Sequence, residues 1–334
     1  MPALPISIVV PTYNRAHLVG RALRSALGEC EPGDEIIVVD DASTDGTDRV
    51  VREFPGVRYE PIVHGGAGRA RNAGVALARH PLVAFLDSDD EFLPGTLACK
   101  RALMSARADL VFCFSNFSGQ PLDGPLETGC LFYWSHDHRD WSEILAPGRP
   151  LSQLVPQSCG RDPLVYIGSL YHTEMTNSYV AVNTVIVNRA LAGDALRFPE
   201  DLPTYEDWEC FGRVAGQGPC AYLAFDSAIQ HGHAGPRLTD ATTEVQISTR
   251  LTILDRVWGR DETFLARHGA DFARVCAEQR LLGAKVLLLA GRQAEARAFL
   301  RDVPGGPLWA RLARRLPVPP VTMTIWRAVR RNRP

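Results

Sequence analysis

Through residues 1–115, short β-branched apolar runs alternate with segments whose apolar positions recur at helical spacing. Ile6–Val10, Glu35–Asp40, Val57–Val63 and Leu82–Leu86 are predicted strands, and Arg15–Leu27, Gly46–Phe54 and Gly68–Arg79 are the helices between them. The first helix carries its apolar residues at 18, 19, 22, 23, 26 and 27, a single stripe. Strands joined by crossover helices build a mainly parallel sheet of the α/β class. The first, second and fourth strands run directly into polar residues: Thr12-Tyr13-Asn14, Asp40-Asp41, and Asp87-Ser88-Asp89-Asp90. Open α/β sheets bind ligands beyond the carboxyl ends of their strands, so these three clusters are expected to converge on one crevice.

Beyond this region the pattern changes. From about Ser118 to Asn177 periodicity weakens, and aromatic, His, Gly and Pro residues accumulate, as in the run 131–141. Long irregular stretches in compact domains are functional loops or lids, and substrate recognition is placed here. Tyr179–Val187 reads as a strand leading to a helix near Tyr205. Residues 243–301 read as helices, ending in a hairpin of Ala277–Ala290 and Ala294–Leu300 around Gly291-Arg292. No repeat recurs at that period, which argues against a solenoid. The tail Val303–Pro334 has no Asp, Glu or Lys and holds Arg at 311, 314, 315, 327, 330, 331 and 333, with Trp309, Leu312, Leu316, Ile325 and Trp326 interleaved. Two readings stay open for it: a packed terminal helix with a solvated basic end, or peripheral contact with an anionic membrane surface, where each basic residue contributes about 1 kcal/mol. Prolines at 317, 319 and 320 break any long amphipathic helix there.

Composition narrows the function classes. With 36 Lys plus Arg against 38 Asp plus Glu, the net charge of −2 excludes a nucleic-acid binder that works by bulk charge. A chain of 334 residues, 46% hydrophobic and 22% charged, is globular, in one large domain or two. Met1–Pro5 has no basic region and leads into only five apolar residues, which fits neither a signal peptide nor a membrane span. No later run reaches the roughly eighteen apolar residues of a spanning helix. Eight cysteines, with no CxxC pair, read as free thiols of a cytoplasmic protein.

The acidic cluster carries the chemistry. Three carboxylates within Asp87–Asp90 exceed what a turn or helix cap needs, and like charges this close require a cation or hydrogen-bond donors. Hard oxygen ligands suit Mg²⁺ or Mn²⁺ held together with substrate phosphates. Of Asp40 and Asp41, one is expected to cap the following turn, and a carboxylate there also accepts hydrogen bonds from a base or ribose. The glycine-rich Gly65–Gly74 follows the third strand and lacks the G-x-G-x-x-G register, which disfavours a dinucleotide-binding dehydrogenase; no G-x-x-x-x-G-K-[ST] is present.

Val9-Val-Pro-Thr-Tyr-Asn-Arg15, Val38-Val-Asp-Asp-Ala-Ser-Thr-Asp-Gly46, Ala70-Arg-Asn-Ala-Gly74, Phe85-Leu-Asp-Ser-Asp-Asp90 and Glu206-Asp-Trp208 resemble, in order and rough spacing, the motifs of family 2 glycosyltransferases with the GT-A fold. The resemblance implies a metal-assisted, inverting transfer from a nucleotide-diphosphate sugar, commonly a UDP-sugar. It implies a GT-A domain over 1–240, with a nucleotide-binding half 1–115 and an acceptor-side half 116–240; a helical region 241–302 and the basic tail 303–334 follow. By the same resemblance Pro11, Thr12 and Tyr13 begin the nucleotide pocket, Asp41 bonds the base, and Arg69 or Arg71 contacts the nucleotide. Asp87 and Asp89 form the DXD motif, with Asp89 or Asp90 on the metal and Asp87 nearer the ribose. Inverting displacement needs a base on the acceptor side and charge stabilisation for the leaving diphosphate. Asp207 resembles that base; its competing role is to populate, with Glu206 and Glu209, the first turn of a helix. His233, with His231 as rival, stands where the family places a metal or diphosphate contact. Gln-x-x-Arg-Trp, carried by the processive members, is absent, so a single addition to a glycan, lipid-linked or small-molecule acceptor is expected. Two rivals remain: a sugar-phosphate nucleotidyltransferase, whose glycine-rich loop should follow the first strand where Pro11–Asn14 stands, and a non-catalytic scaffold.

Overall fold

The computed structural model describes residues 3–135, 137, 139–155, 159–235, 241–303 and 307–315. Most of the basic tail, together with Pro236 and Arg237, lies outside the described residues. The chain divides into two units, Met1–Asp201 with Glu206–Gly235, and Leu202–Tyr205 with Pro236–Pro334.

The first unit is built on a sheet of ten strands: β1 (Ile6–Thr12), β2 (Glu35–Asp40), β3 (Val57–Pro61), β4 (Leu82–Phe85), β5 (Glu91–Phe92), β6 (Phe112–Gln120), β7 (Arg149–Pro150), β8 (Leu164–Gly168), β9 (Ile186–Asn188) and β10 (Cys220–His231). Their order is β3-β2-β1-β4-β9-β6-β10-β8-β7, with β5 also on β10. β3, β2, β1 and β4 are mutually parallel, joined through α1 (Val19–Glu29), α2 (Thr47–Arg52) and α3 (Gly66–Leu77). β9 lies antiparallel to both β4 and β6, so two reversals return β6 to the direction of the first four, and β10 follows it in parallel.

Both faces of the parallel half are covered, which is why its strands read as continuous apolar runs. Ile6, Ile8 and Val10 of β1 face a core shared with Val19 and Leu23 of α1 and Leu97 and Leu103 of α4 (Thr96–Ala106). Val9 faces the opposite core with Ala70 of α3 and Phe85, Phe198 and Phe211. Gly74 exists for this packing: a Cβ there would stand 2.2 Å from Val9 Cγ1.

Three expectations are revised. Tyr179–Val187 is not one strand; its middle forms a 3₁₀ turn, Val182–Thr184, and only Ile186–Asn188 enters the sheet, because the buried Asn183 turns inward to Asp90. The stretch 118–177 is less irregular than its composition suggests, containing the end of β6, β7, β8 and the short helices α5 (Cys130–Ser135), α6 (Trp141–Ile144) and α7 (Tyr171–Glu174). Trp141 stacks on Tyr222 at 3.8 Å and is buried, so this aromatic residue builds core. β6 and β10, neither predicted, are the central strands of the mixed half.

The short α8 (Arg189–Ala192) and α9 (Glu206–Ala215) precede β10, the last strand of the first unit. The second unit is helical: α10 (Thr243–Val257), α11 (Glu262–Leu289), α12 (Gln293–Arg301) and α13 (Leu308–Arg315). Gly291, at φ 78°, turns α11 back onto α12, and Leu287, Ala296 and Leu300 are buried between them. Among the described residues no helix is long and apolar enough to cross a membrane.

Candidate active site

Strand order reverses between β1 and β4, and ligand crevices of open α/β sheets lie at such a switch point. Pro11 and Thr12 are the last residues of β1 and are buried. Beyond them Asn14 (φ 51°) and, after β2, Ala42 (φ 66°) hold left-handed conformations that cost a non-glycine residue about 1–2 kcal/mol. The two loops lock each other: the Asn14 N–H donates to Ser43 Oγ at 2.8 Å, and Asn14 Oδ1 accepts from the Thr44 N–H at 2.8 Å. Asp40 serves the turn, accepting from the Ser43 N–H (2.8 Å) and the Tyr59 hydroxyl (2.6 Å). Asp41 faces the glycine-rich loop, where its carboxylate accepts from the Gly65 N–H (2.7 Å) and the Gly66 N–H (2.8 Å). Gly66 has φ 88°, the backbone geometry that lets both N–H groups turn toward one carboxylate. Tyr13 is 46% exposed, with its ring 4.7 Å from that of His64.

Arg69 and Arg71, two residues apart on α3, part company. Arg69 is exposed and folds over Gly65, whereas Arg71 is buried against the Phe198 ring. Arg71 donates through Nη2 to Asp87 Oδ1 at 2.8 Å and through Nη1 to Glu206 Oε1 at 2.7 Å. One cation thus joins the acidic end of β4 to the first turn of α9. Charge-assisted bonds of this kind are short and directional, and flanking carboxylates hold the guanidinium's pKa above its ordinary value despite burial.

The three acids opening α9 have three fates. Glu206 is bound to Arg71, and Glu209 pairs with Arg213 at 3.2 Å. Asp207 has no ion-pair partner within 4.0 Å among the described residues; its Oδ1 accepts only the Trp208 N–H, at 2.8 Å. Burial first, and the Glu206 charge second, push its carboxyl up to about 7, while Arg71 pulls the other way. A carboxylate tuned near neutrality is matched to taking a proton from a hydroxyl. The helix start is anchored by the Trp208 indole, which donates to the Glu174 carbonyl at 2.7 Å, and Tyr205 just before it holds φ 61°.

Beyond β4 the acids also separate. Asp90 is buried, and its carboxylate accepts from Asn183 Nδ2 (2.8 Å) and the His231 N–H (3.1 Å). Asp89 is more open: Oδ2 lies 2.8 Å from His233 Nε2 and 3.9 Å from Arg15 Nη2, and its carbonyl accepts from Arg21. His231 turns away to Glu91 at 3.2 Å. His233 Nδ1 accepts the Gly235 N–H at 3.1 Å, which leaves the proton of a neutral ring on Nε2, facing Asp89. The residues fit a divalent cation carried mainly by oxygen: Asp89 offers an accessible carboxylate with the His233 imidazole 2.8 Å away, while the Asp90 carboxylate accepts from Asn183 and His231.

The structure therefore brings Asp87, Arg71, Glu206 and Asp207 together, sets Asp89 with His233, and links Asp41 to Tyr13 through His64. Glu206's bridging role, Arg15 and Arg21 at Asp89, and His64 at Asp41 were not singled out from sequence. Arg15 and Glu206 had a signal, lying within the Val9–Arg15 and Glu206–Trp208 motifs; the contacts of His64, before α3, and of Arg21, on α1, depend on how separate elements pack.

Residues 7–122 match the family described as Glycosyl transferase family 2. The chain is 30% identical over 303 residues to the succinoglycan biosynthesis protein ExoO of Rhizobium meliloti, covering 88% of this chain and 75% of that one. It is 31% identical over 115 residues to the Escherichia coli UDP-Glc:alpha-D-GlcNAc-diphosphoundecaprenol beta-1,3-glucosyltransferase WfgD, covering 34% of this chain and 45% of that one. Its fold is similar to that of S. aureus TarS 1-349 crystallised with UDP-GlcNAc, with a TM-score of 0.61, 18% identity, and 90% of this chain and 82% of that one covered. Taken with the α/β sheet and the strand-end acids, these likenesses place the chain in glycosyl transferase family 2, and it is a glycosyltransferase.

Proposed function

We propose that this enzyme moves a sugar from a UDP-sugar to an acceptor hydroxyl with inversion, one sugar per encounter, with Mn²⁺ or Mg²⁺ in the site. The observation that carries the reading is the Arg71 bridge, which holds Asp87 and Glu206 on one guanidinium and brings Asp207 into its electrostatic field. In this reading the nucleoside lies along Pro11, Thr12, Tyr13 and Asp41, and Asp87 reaches the ribose. Arg69, the exposed arginine, is the one placed to meet the nucleotide; Arg71 acts from behind. Asp89, oriented by His233, would hold the cation, which when bound offsets the charge of the leaving diphosphate. Asp207 takes the proton of the acceptor hydroxyl as that oxygen attacks the anomeric carbon from the face opposite the diphosphate. The name of the WfgD relative supports a glycan or lipid-linked acceptor.

Calorimetric titration with UDP, with and without Mn²⁺, followed by assay of UDP release from a panel of UDP-sugars, tests the reading. Binding strengthened by Mn²⁺ and slow release from one donor are expected. Failure to bind any nucleoside diphosphate sinks it.

A further inference from the structure

We propose that His64, aimed by Asp41, is the acceptor that reads the ring N–H of the donor's nucleobase, restricting the donor to bases that carry one: uracil, thymine or guanine. This rests on the nucleotide-sugar reading above and names which atom selects the base.

The Asp41 side chain is only 4% exposed. Its carboxylate already accepts from Gly65 and Gly66 (2.7 and 2.8 Å), and Oδ2 lies 3.0 Å from His64 Nδ1. A carboxylate so enclosed meets a ligand poorly. The side chain that extends from it into the open is His64, which is 59% exposed. Its Nδ1 also lies 3.1 Å from the Asp41 carbonyl oxygen, so this nitrogen faces two acceptors and must carry the proton. A neutral imidazole has one N–H, and Nε2 is therefore left with a lone pair. Among the described residues no group bonds to Nε2. The adjacent wall is the exposed ring of Tyr13, 4.7 Å away, an aromatic face of the kind on which a base packs.

A ring N–H of uracil, thymine or guanine meets that lone pair as a donor. Cytosine and adenine present a ring nitrogen lone pair at the equivalent edge, so acceptor would face acceptor. Asp41 is a positioning residue here, fixing the tautomer, much as carboxylates orient histidines elsewhere.

The test uses the full chain with Mn²⁺ and measures affinity for UDP, dTDP, GDP, CDP, ADP and the ring-N-methyl analogue of whichever binds best. Wild type is expected to bind the first three at least about tenfold tighter than CDP or ADP, and to lose about tenfold on N-methylation, the loss of one buried hydrogen bond. His64→Ala and His64→Phe should both lose about tenfold for the parent nucleotide, and His64→Ala should bind parent and methylated ligands alike. His64→Gln, which returns an acceptor oxygen, should recover most of the affinity. Unchanged melting temperatures are expected, since the side chain is largely solvated. Discrimination by ring N–H that persists in His64→Ala, or wild-type affinity in His64→Phe, overturns the proposal. If none of the five nucleotides binds, the nucleotide-sugar reading itself fails and takes the proposal with it.

Discussion

Replacing Glu206 by Gln probes the electrostatics of the base without dismantling its frame. The amide oxygen can still accept from Arg71 Nη1, which now donates to Glu206 Oε1 at 2.7 Å, so geometry is kept and one negative charge is removed. Asp207 stands at about 7 against an ordinary 3.8, with burial the largest cause and the Glu206 charge the second. Removing that charge also leaves Arg71 less neutralised, and both effects favour the Asp207 carboxylate. The midpoint should fall by about one pH unit, equivalent to about 1.4 kcal/mol between the two protonation states. The assay is nucleoside diphosphate release at saturating donor between pH 5 and 9. In the wild type the rate should rise with pH through a midpoint near 7, because only ionised Asp207 accepts a proton. In the variant the rise should come about one unit earlier, giving about fivefold more ionised base at pH 6, with a lower plateau above pH 8 because a weaker base abstracts the proton more slowly. The two profiles should cross. An acid limb that stays in place, or moves to higher pH, refutes the assignment of Asp207 as base or of Glu206 as the charge that tunes it.

Asp207→Asn should lower turnover by about two orders of magnitude or more with UDP affinity nearly intact. The same variant should melt higher than wild type at pH 8 and equally at pH 4: a carboxyl whose folded pKa is raised from 3.8 to about 7 stabilises the fold while protonated, and that stability is lost as pH rises through 7. Arg71→Met leaves Asp87 and Glu206 facing each other without their cation, and urea denaturation should show a loss of about 3 kcal/mol, as when one partner of a buried ion pair is removed. Unchanged stability would mean the bridge does not hold the two elements. Asp89→Ala should abolish the gain in UDP affinity on adding Mn²⁺; a gain that survives moves the cation to other residues.

What the chain's order of residues determined by itself was the parallel half of the sheet and the positions of the strand-end acids. β2 occupies Glu35–Asp40 as expected, because a doubly covered strand is written as an unbroken apolar run and its polar exit marks the carboxyl end. The helical hairpin around Gly291 was equally legible from local period and a turn residue. The mixed half was not. β6 and β10 pair across about a hundred residues, and the turn within 179–187 is set by a bond from Asn183 to Asp90, ninety-three positions away. The same distance in sequence separates the chemistry: neighbours Asp89 and Asp90 look interchangeable until Asn183 and His231 claim one and His233 meets the other. Arg69 and Arg71 look equivalent in the sequence, and only packing against Phe198 and α9 takes Arg71 out of water and ties it to Asp87 and Glu206. Local pattern reports what a residue can do; long-range packing and the charges it encloses decide which of two similar groups does it.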